Sequence, residues 1–154
     1  MRRFGEPVER DRRYIPRPGA YAIIEGPQGL LVTEQSHPYF EIQLPGGGID
    51  PGESPLRALH REVMEETGWT IAAPRRLGAF QRFTFMPEYE IWAQKVCHIY
   101  LCRAVRRLRA PSEPAHRAIW MDPDEAAAAL GNAGDRDFVT RLYGLPASRM
   151  APRN

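Results

Sequence analysis

The sequence predicts an α/β fold, and three observations carry that reading. Short apolar runs broken by Gly and Pro lie on both sides of a central segment. That segment, Ser54 to Gly68, opens and closes with helix signals. Two further helical stretches follow a last short strand near the C-terminus. At 154 residues the chain has the size of one domain, and folding at that length buries roughly 70% of the extended surface. Hydrophobic residues make up 43% and charged residues 26%, an ordinary globular profile that excludes disordered and fibrous classes.

Residues 1–18 are rich in Arg, Glu and Pro and read as an irregular lead-in lying over a sheet edge. The domain proper is expected over 19–146, with a flexible tail at 147–154. Ala20–Glu25 and Leu30–Thr33 are short strands, and Gly26, Pro27, Gln28 and Gly29 between them signal a hairpin. Phe40–Leu44 alternates and runs into Pro45, Gly46, Gly47 and Gly48, where the loss of backbone restraint predicts a loop. Ser54 is placed to cap a helix whose first position is Pro55, and Gly68 is placed to end it. Leu77–Phe85 and Ile91–Val105, rich in aromatic and β-branched residues, predict two long strands joined at Met86–Glu90. A short strand at Ala118–Met121 precedes a helix over Glu125–Leu130, and a last helix is expected over Asp135–Tyr143.

The net charge of +2 is too small to imply a nucleic-acid duplex as partner, and Lys95 is the only lysine among 21 basic residues. Cys97 and Cys102 are offset by five in an extended stretch, which puts them on opposite faces and argues against a disulfide. Two lone thiols, an N-terminus without the apolar core of a signal peptide, and no apolar run of bilayer length together predict a cytoplasmic protein without a membrane partner.

The chemistry is concentrated in Gly47–Trp69. At about 100° per residue, Leu56, Leu59 and Val63 form one stripe of the helix and Glu62, Glu65 and Glu66 the neighbouring one, so the first can face a core while the second faces a cleft. Like charges at these spacings destabilise an isolated helix by about 0.2–0.5 kcal/mol per pair. Oxygen-rich clusters of this kind suit Mg²⁺ or Mn²⁺, which bind carboxylates and substrate phosphates together. Arg61 can reach back to Glu53 as a planar bidentate pair, clamping the glycine segment so that a carbonyl of Gly46 or Gly47 turns toward the metal. A lone E-x-x-E-E is ordinarily a solvated face. Seven fixed Gly, Glu and Arg positions, however, coincide by chance only on the order of once in 10⁸ starting points.

Gly47, Glu53, Arg61, Glu62, Val63, Glu65, Glu66 and Gly68 match the pattern G-x5-E-x7-R-E-U-x-E-E-x-G-U, where U is bulky and apolar, so the segment resembles the Nudix box. Trp69 stands where that family usually has Ile, Leu or Val. The resemblance implies an α/β/α sandwich around a mixed sheet and metal-dependent hydrolysis of a nucleoside diphosphate linked to a further group. It implies Glu62, Glu65, Glu66 and the Gly47 carbonyl as metal ligands, with Glu53 orienting Arg61. The catalytic set is then Glu53, Arg61, Glu62 and Glu65. The general base stays open between Glu62 or Glu65 in the box and Glu88, Glu90 or Glu113 outside it.

The aromatics Tyr39, Phe40, Phe83, Phe85, Tyr89 and Trp92 are available to a base, though strand aromatics usually belong to a core. Pro87 and Tyr89 resemble markers of two different substrate groups in the family and cancel. A nucleoside triphosphate or related nucleotide is the expected substrate. The alternatives are ADP-ribose, sugar nucleotides or dinucleoside polyphosphates, and a non-catalytic nucleotide sensor. Homodimers are frequent in the family, and a homodimer is one assembly the resemblance implies.

Overall fold

The computed structural model describes residues 1–146; the predicted tail at 147–154 lies outside the described residues. The strands are β1 (Arg2–Gly5), β2 (Ile15–Gly26), β3 (Gly29–Gln35), β4 (Glu41–Gln43), β5 (Gly46–Gly48), β6 (Trp69–Met86), β7 (Ile91–Arg107) and β8 (His116–Met121). The helices are α1 (Pro55–Thr67), α2 (Pro123–Ala129) and α3 (Ala133–Leu142). In the main sheet the order is β1-β6-β7-β2-β3-β4, with β5 paired to β2 and β8 to β3. It is mixed, because β1 runs parallel to β6 and β2 parallel to β7 while the other pairs are antiparallel.

The period-2 alternation of the strands divides the core into two layers. Ile23, Leu30, Val32, Phe80, Cys97 and Ile99 face one side, where Ala126, Ala127 and Leu130 of α2 and Phe138 and Val139 of α3 cover them. Ala22, Ile24, Leu31, Tyr100 and Cys102 face the other, beneath Leu59 and Val63 of α1. The result is an α/β/α sandwich. It also places the two free thiols in opposite layers, as their offset of five required.

Helix α1 forms where its signals stand. The Ser54 hydroxyl accepts from the Arg57 amide at 3.2 Å, Pro55 takes the first turn, and Gly68, at φ 75°, donates its amide to the Met64 carbonyl. Asn132 caps α3 in the same manner, its Oδ1 accepting from Gly134 at 2.8 Å and Asp135 at 3.4 Å.

Several expectations need correction. The lead-in is not irregular throughout: Arg2–Gly5 pairs with Phe80–Phe83, and Ile15–Pro18 already belongs to β2 against Ala93–Val96. Gly46–Gly48 is a strand rather than a loop. It pairs with Gly19–Tyr21, and a Cβ on Gly46 would run into the Ala20 carbonyl and the Tyr21 backbone, so the glycines permit a close sheet approach. Leu56 is exposed, leaving Leu59 and Val63 to form the buried stripe. Strands β6 and β7 extend beyond their predicted ends because each lines up with the other over most of its length, from Trp69↔Arg107 to Met86↔Ile91. Phe40 precedes β4 and is exposed.

Candidate active site

Strand β5, the N-terminal half of β2 and the face of α1 converge on a cleft of about 410 Å³. The Glu53–Arg61 clamp is present in the form the sequence predicted. Arg61 Nε and Nη2 donate to the two Glu53 oxygens at 2.8 and 2.9 Å, and Nη2 also donates to the Gly48 carbonyl at 3.1 Å. Glu53 in turn accepts from the Asp50 amide at 3.0 Å. The hydrogen bonds from Arg61 and Asp50 hold the Glu53 carboxyl down at about 2, so the clamp is ionised at any ordinary pH. Helix, loop and glycine strand are tied together by one planar guanidinium.

The three box glutamates do not share one environment. Glu62 and Glu66 line the cleft. Glu65 stands aside, its carboxylate 3.4 Å from Arg61, while its main-chain carbonyl accepts from Ser112 at 2.9 Å and Glu113 at 3.2 Å. Those two bonds fasten the segment after β7 to the end of α1 and bring Glu113 to the cleft. Glu88 also lines it, whereas Glu90 does not. Of the predicted aromatics Tyr89 alone lines the cleft, its ring 4.6 Å from the Arg17 guanidinium. Tyr39 and Phe40 point to solvent. Phe83, Phe85 and Trp92 instead form an aromatic cluster with Tyr14 or with one another.

Glu66 is 3% exposed, with Oε1 accepting from the Gly46 amide at 3.0 Å and Oε2 lying 3.3 Å from His116 Nε2. Burial is the main cause that pushes its carboxyl well above the usual range, with the charges of Glu62, Glu113 and Glu65 adding to it. Glu62 is raised chiefly by burial as well, against a 2.9 Å bond from Arg61 that pulls the other way. A cluster of acids held at a cost in this way is relieved by a cation. Gly47 faces the Glu62 carboxylate so closely that a Cβ there would lie 2.5 Å from its Cδ. Among the described residues no three His, Cys, Asp or Glu side chains converge on one point. Two carboxylates and the Gly46 carbonyl, which shares the side of β5 whose amide meets Glu66, nevertheless fit the way a divalent cation is ordinarily held, completed by water and substrate phosphate; the Gly47 carbonyl expected from the sequence instead faces Ala20 in the β2–β5 ladder.

A second group of cleft residues was missed by sequence reasoning. Asp135, 5% exposed, lines the cleft together with Asn132, Gln43, Tyr21, Arg82 and Lys95. Burial pushes the Asp135 carboxyl up to about 7, against the pull of Arg82, Lys95 and the Leu44 amide. The one available signal was Asn132, whose place before A-G-D marks a helix cap; nothing local pointed to His116.

The family model of the NUDIX domain matches residues 15–142. Over 76 residues the chain is 41% identical to the "Putative 8-oxo-dGTP diphosphatase" of Bacillus subtilis, covering 48% of this chain and 50% of that protein. Over 160 residues it is 29% identical to the CMP-5'-(N-acetyl-N-hydroxy-3-aminopropyl)phosphonate hydrolase of Streptomyces rubellomurinus, covering 96% of this chain and 74% of that one. The matched stretch is thus about half the length of the first of these relatives. Among solved structures, a NUDIX hydrolase from Nitrosomonas europaea superposes with a TM-score of 0.68 at 20% identity, covering 90% of this chain and 98% of its own, a likeness of fold. With the box clamp, the glycine strand and the sandwich in place and the family model matched over most of its length, the chain belongs to the NUDIX family.

Proposed function

We propose that the protein hydrolyses the diphosphate linkage of a nucleoside 5'-triphosphate or a closely related nucleotide. The observation that carries this reading is that one cleft is lined both by Glu62 and Glu66 and by the buried Asp135 with Asn132. Its volume of about 410 Å³ lies in the range of small-molecule sites. The glutamate pair suits a phosphate chain bridged by a divalent cation. The other group offers an amide, a carboxyl and the Lys95 ammonium to the edge of a base.

A divalent cation, Mg²⁺ or Mn²⁺, would supply positive charge to the phosphate oxygens and make water more acidic when bound. Glu62 and Glu66 would hold the cation, with the Gly46 carbonyl as a third donor and Arg61 fixing the strand that carries it. Glu113 takes the proton of the attacking water, because it is the carboxylate outside the box that the Glu65 carbonyl anchors at the cleft. Water oxygen bonds to phosphorus, the bridging P–O bond breaks, and the bridging oxygen leaves with the departing phosphate.

A second reading is favoured by the phosphonate hydrolase match, which spans nearly the whole chain: a nucleoside monophosphate joined to a group other than pyrophosphate. Turnover of a panel of nucleoside triphosphates including 8-oxo-dGTP, CMP conjugates, ADP-ribose and dinucleoside polyphosphates, with Mg²⁺ or Mn²⁺, separates the two. Pyrophosphate release from a triphosphate, lost in Glu66→Gln, supports the first reading; cleavage of conjugates alone sinks it. Nucleotide binding without turnover of any member would make the chain a sensor.

A further inference from the structure

We propose that His116 is a positioning residue for this reaction, holding the Glu66 carboxylate in the plane from which it meets the cation; this rests on the reading of Glu66 as a ligand. The last torsion of a glutamate is soft, so one hydrogen bond leaves the carboxylate free to swing. Each Glu66 oxygen has a nitrogen close by. The Gly46 amide holds Oε1 at 3.0 Å and His116 Nε2 stands 3.3 Å from Oε2. The three partners come from β5, α1 and β8, and β8 is itself fixed by its pairing with β3, where His116 lies opposite Gln35. A contact between separate elements can therefore aim a side chain whose own helix cannot.

The positioning role also specifies a tautomer. With a cation bound Glu66 is ionised and only accepts, so the positioning role requires a hydrogen on His116 Nε2. His116 Nδ1 is buried without a partner among the described residues. A second N–H there would be a buried donor with nothing to bond, whereas a bare lone pair costs less. The positioning role therefore calls for the tautomer that carries its hydrogen on Nε2. His116 touches no substrate; it acts through Glu66.

The test compares the full-length protein with His116→Gln, whose amide can still donate at that reach, with His116→Leu, which cannot, and with Glu66→Gln. Mn²⁺ affinity is read by electron paramagnetic resonance, kcat and KM by turnover, and the imidazole tautomer by long-range ¹H–¹⁵N correlation on the Mg²⁺-saturated protein. Removing a partner that orients a metal ligand ordinarily weakens metal binding about 10- to 100-fold. His116→Leu is expected to show that loss, with kcat falling while KM holds, and His116→Gln to recover most of it. Wild-type Mn²⁺ affinity and kcat in His116→Leu, with Glu66→Gln defective, would overturn the positioning role, as would a proton on Nδ1. Undiminished Mn²⁺ binding by Glu66→Gln removes instead the cation reading on which it stands.

Discussion

The sharpest test of the second group of cleft residues is Asp135→Asn, because the structure sets both its sign and its size. Asp135 is 5% exposed, and burial raises its carboxyl from 3.8 to about 7, net of Arg82, Lys95 and the Leu44 amide. A carboxyl raised on folding is neutral in both states at low pH, where its burial has no ionic cost. As pH climbs from 4 toward 7 the unfolded chain loses its proton first, so stability falls; beyond 7 the loss is complete. Three units at 1.36 kcal/mol each make the full loss about 4 kcal/mol. About 2 kcal/mol of it has accrued by pH 5, which leaves about 2 to 3 kcal/mol between pH 5 and pH 8. Asparagine keeps an oxygen for the Leu44 amide and cannot ionise. Urea unfolding of both proteins at the two pH values, with matched m-values, should show the variant gaining on the parent by up to that amount. The difference between pH values cancels any constant effect of the substitution. If the two stability curves run parallel, Asp135 is not buried with a raised carboxyl, and its place in base recognition falls with it.

Three other substitutions probe the clamp and its supports. Gly47→Ala puts a Cβ 2.5 Å from Glu62 Cδ, so the carboxylate must move; Mn²⁺ affinity or kcat should drop at least about 10-fold while the melting temperature holds, checked by titration and calorimetry. Arg61→Lys keeps the charge but loses the fork that spans both Glu53 oxygens and the Gly48 carbonyl, and at about 1.5–3 kcal/mol per charged hydrogen bond a tenfold or greater fall in kcat/KM is expected. Gly68→Ala forces a side chain to φ 75° and into the Arg109 backbone, and should destabilise the protein by about 2 kcal/mol or more, read from the urea midpoint.

What could be read from the sequence was what the chain settles locally. Ser54, Pro55 and Gly68 bound α1 with bonds inside a few residues of themselves, and Glu53 with Arg61 lie eight apart across one loop and two turns of helix. The alternation of β2 and β7 likewise separates Cys97 from Cys102 without knowledge of any partner strand. The glycine strand was illegible because its backbone partner, Gly19–Tyr21, lies more than two dozen positions earlier, and a glycine run looks the same in a loop and in a close sheet contact. His116, Asp135 and Lys95 enter the cleft only through the order in which strands and helices stack, which no window of sequence contains.

One distinction was nevertheless written in the helix and passed over. At 100° per residue, Glu62 and Glu66 lie about 40° apart on α1, while Glu65 falls about 60° from Glu62 on its other side and about 40° from Arg61. Treating the three acids as one stripe hid this. The structure follows the arithmetic: Glu62 and Glu66 enter the cleft, and Glu65 meets Arg61 at 3.4 Å while its carbonyl anchors the segment carrying Glu113. On this geometry Glu65 is expected to support the clamp more than to hold a cation. Glu62→Gln and Glu66→Gln should each cost far more in kcat than Glu65→Gln, whose main-chain anchor survives the substitution. Equal losses across the three would mean that the cation draws Glu65 away from Arg61 when it binds, and that the clamp is made to let it go.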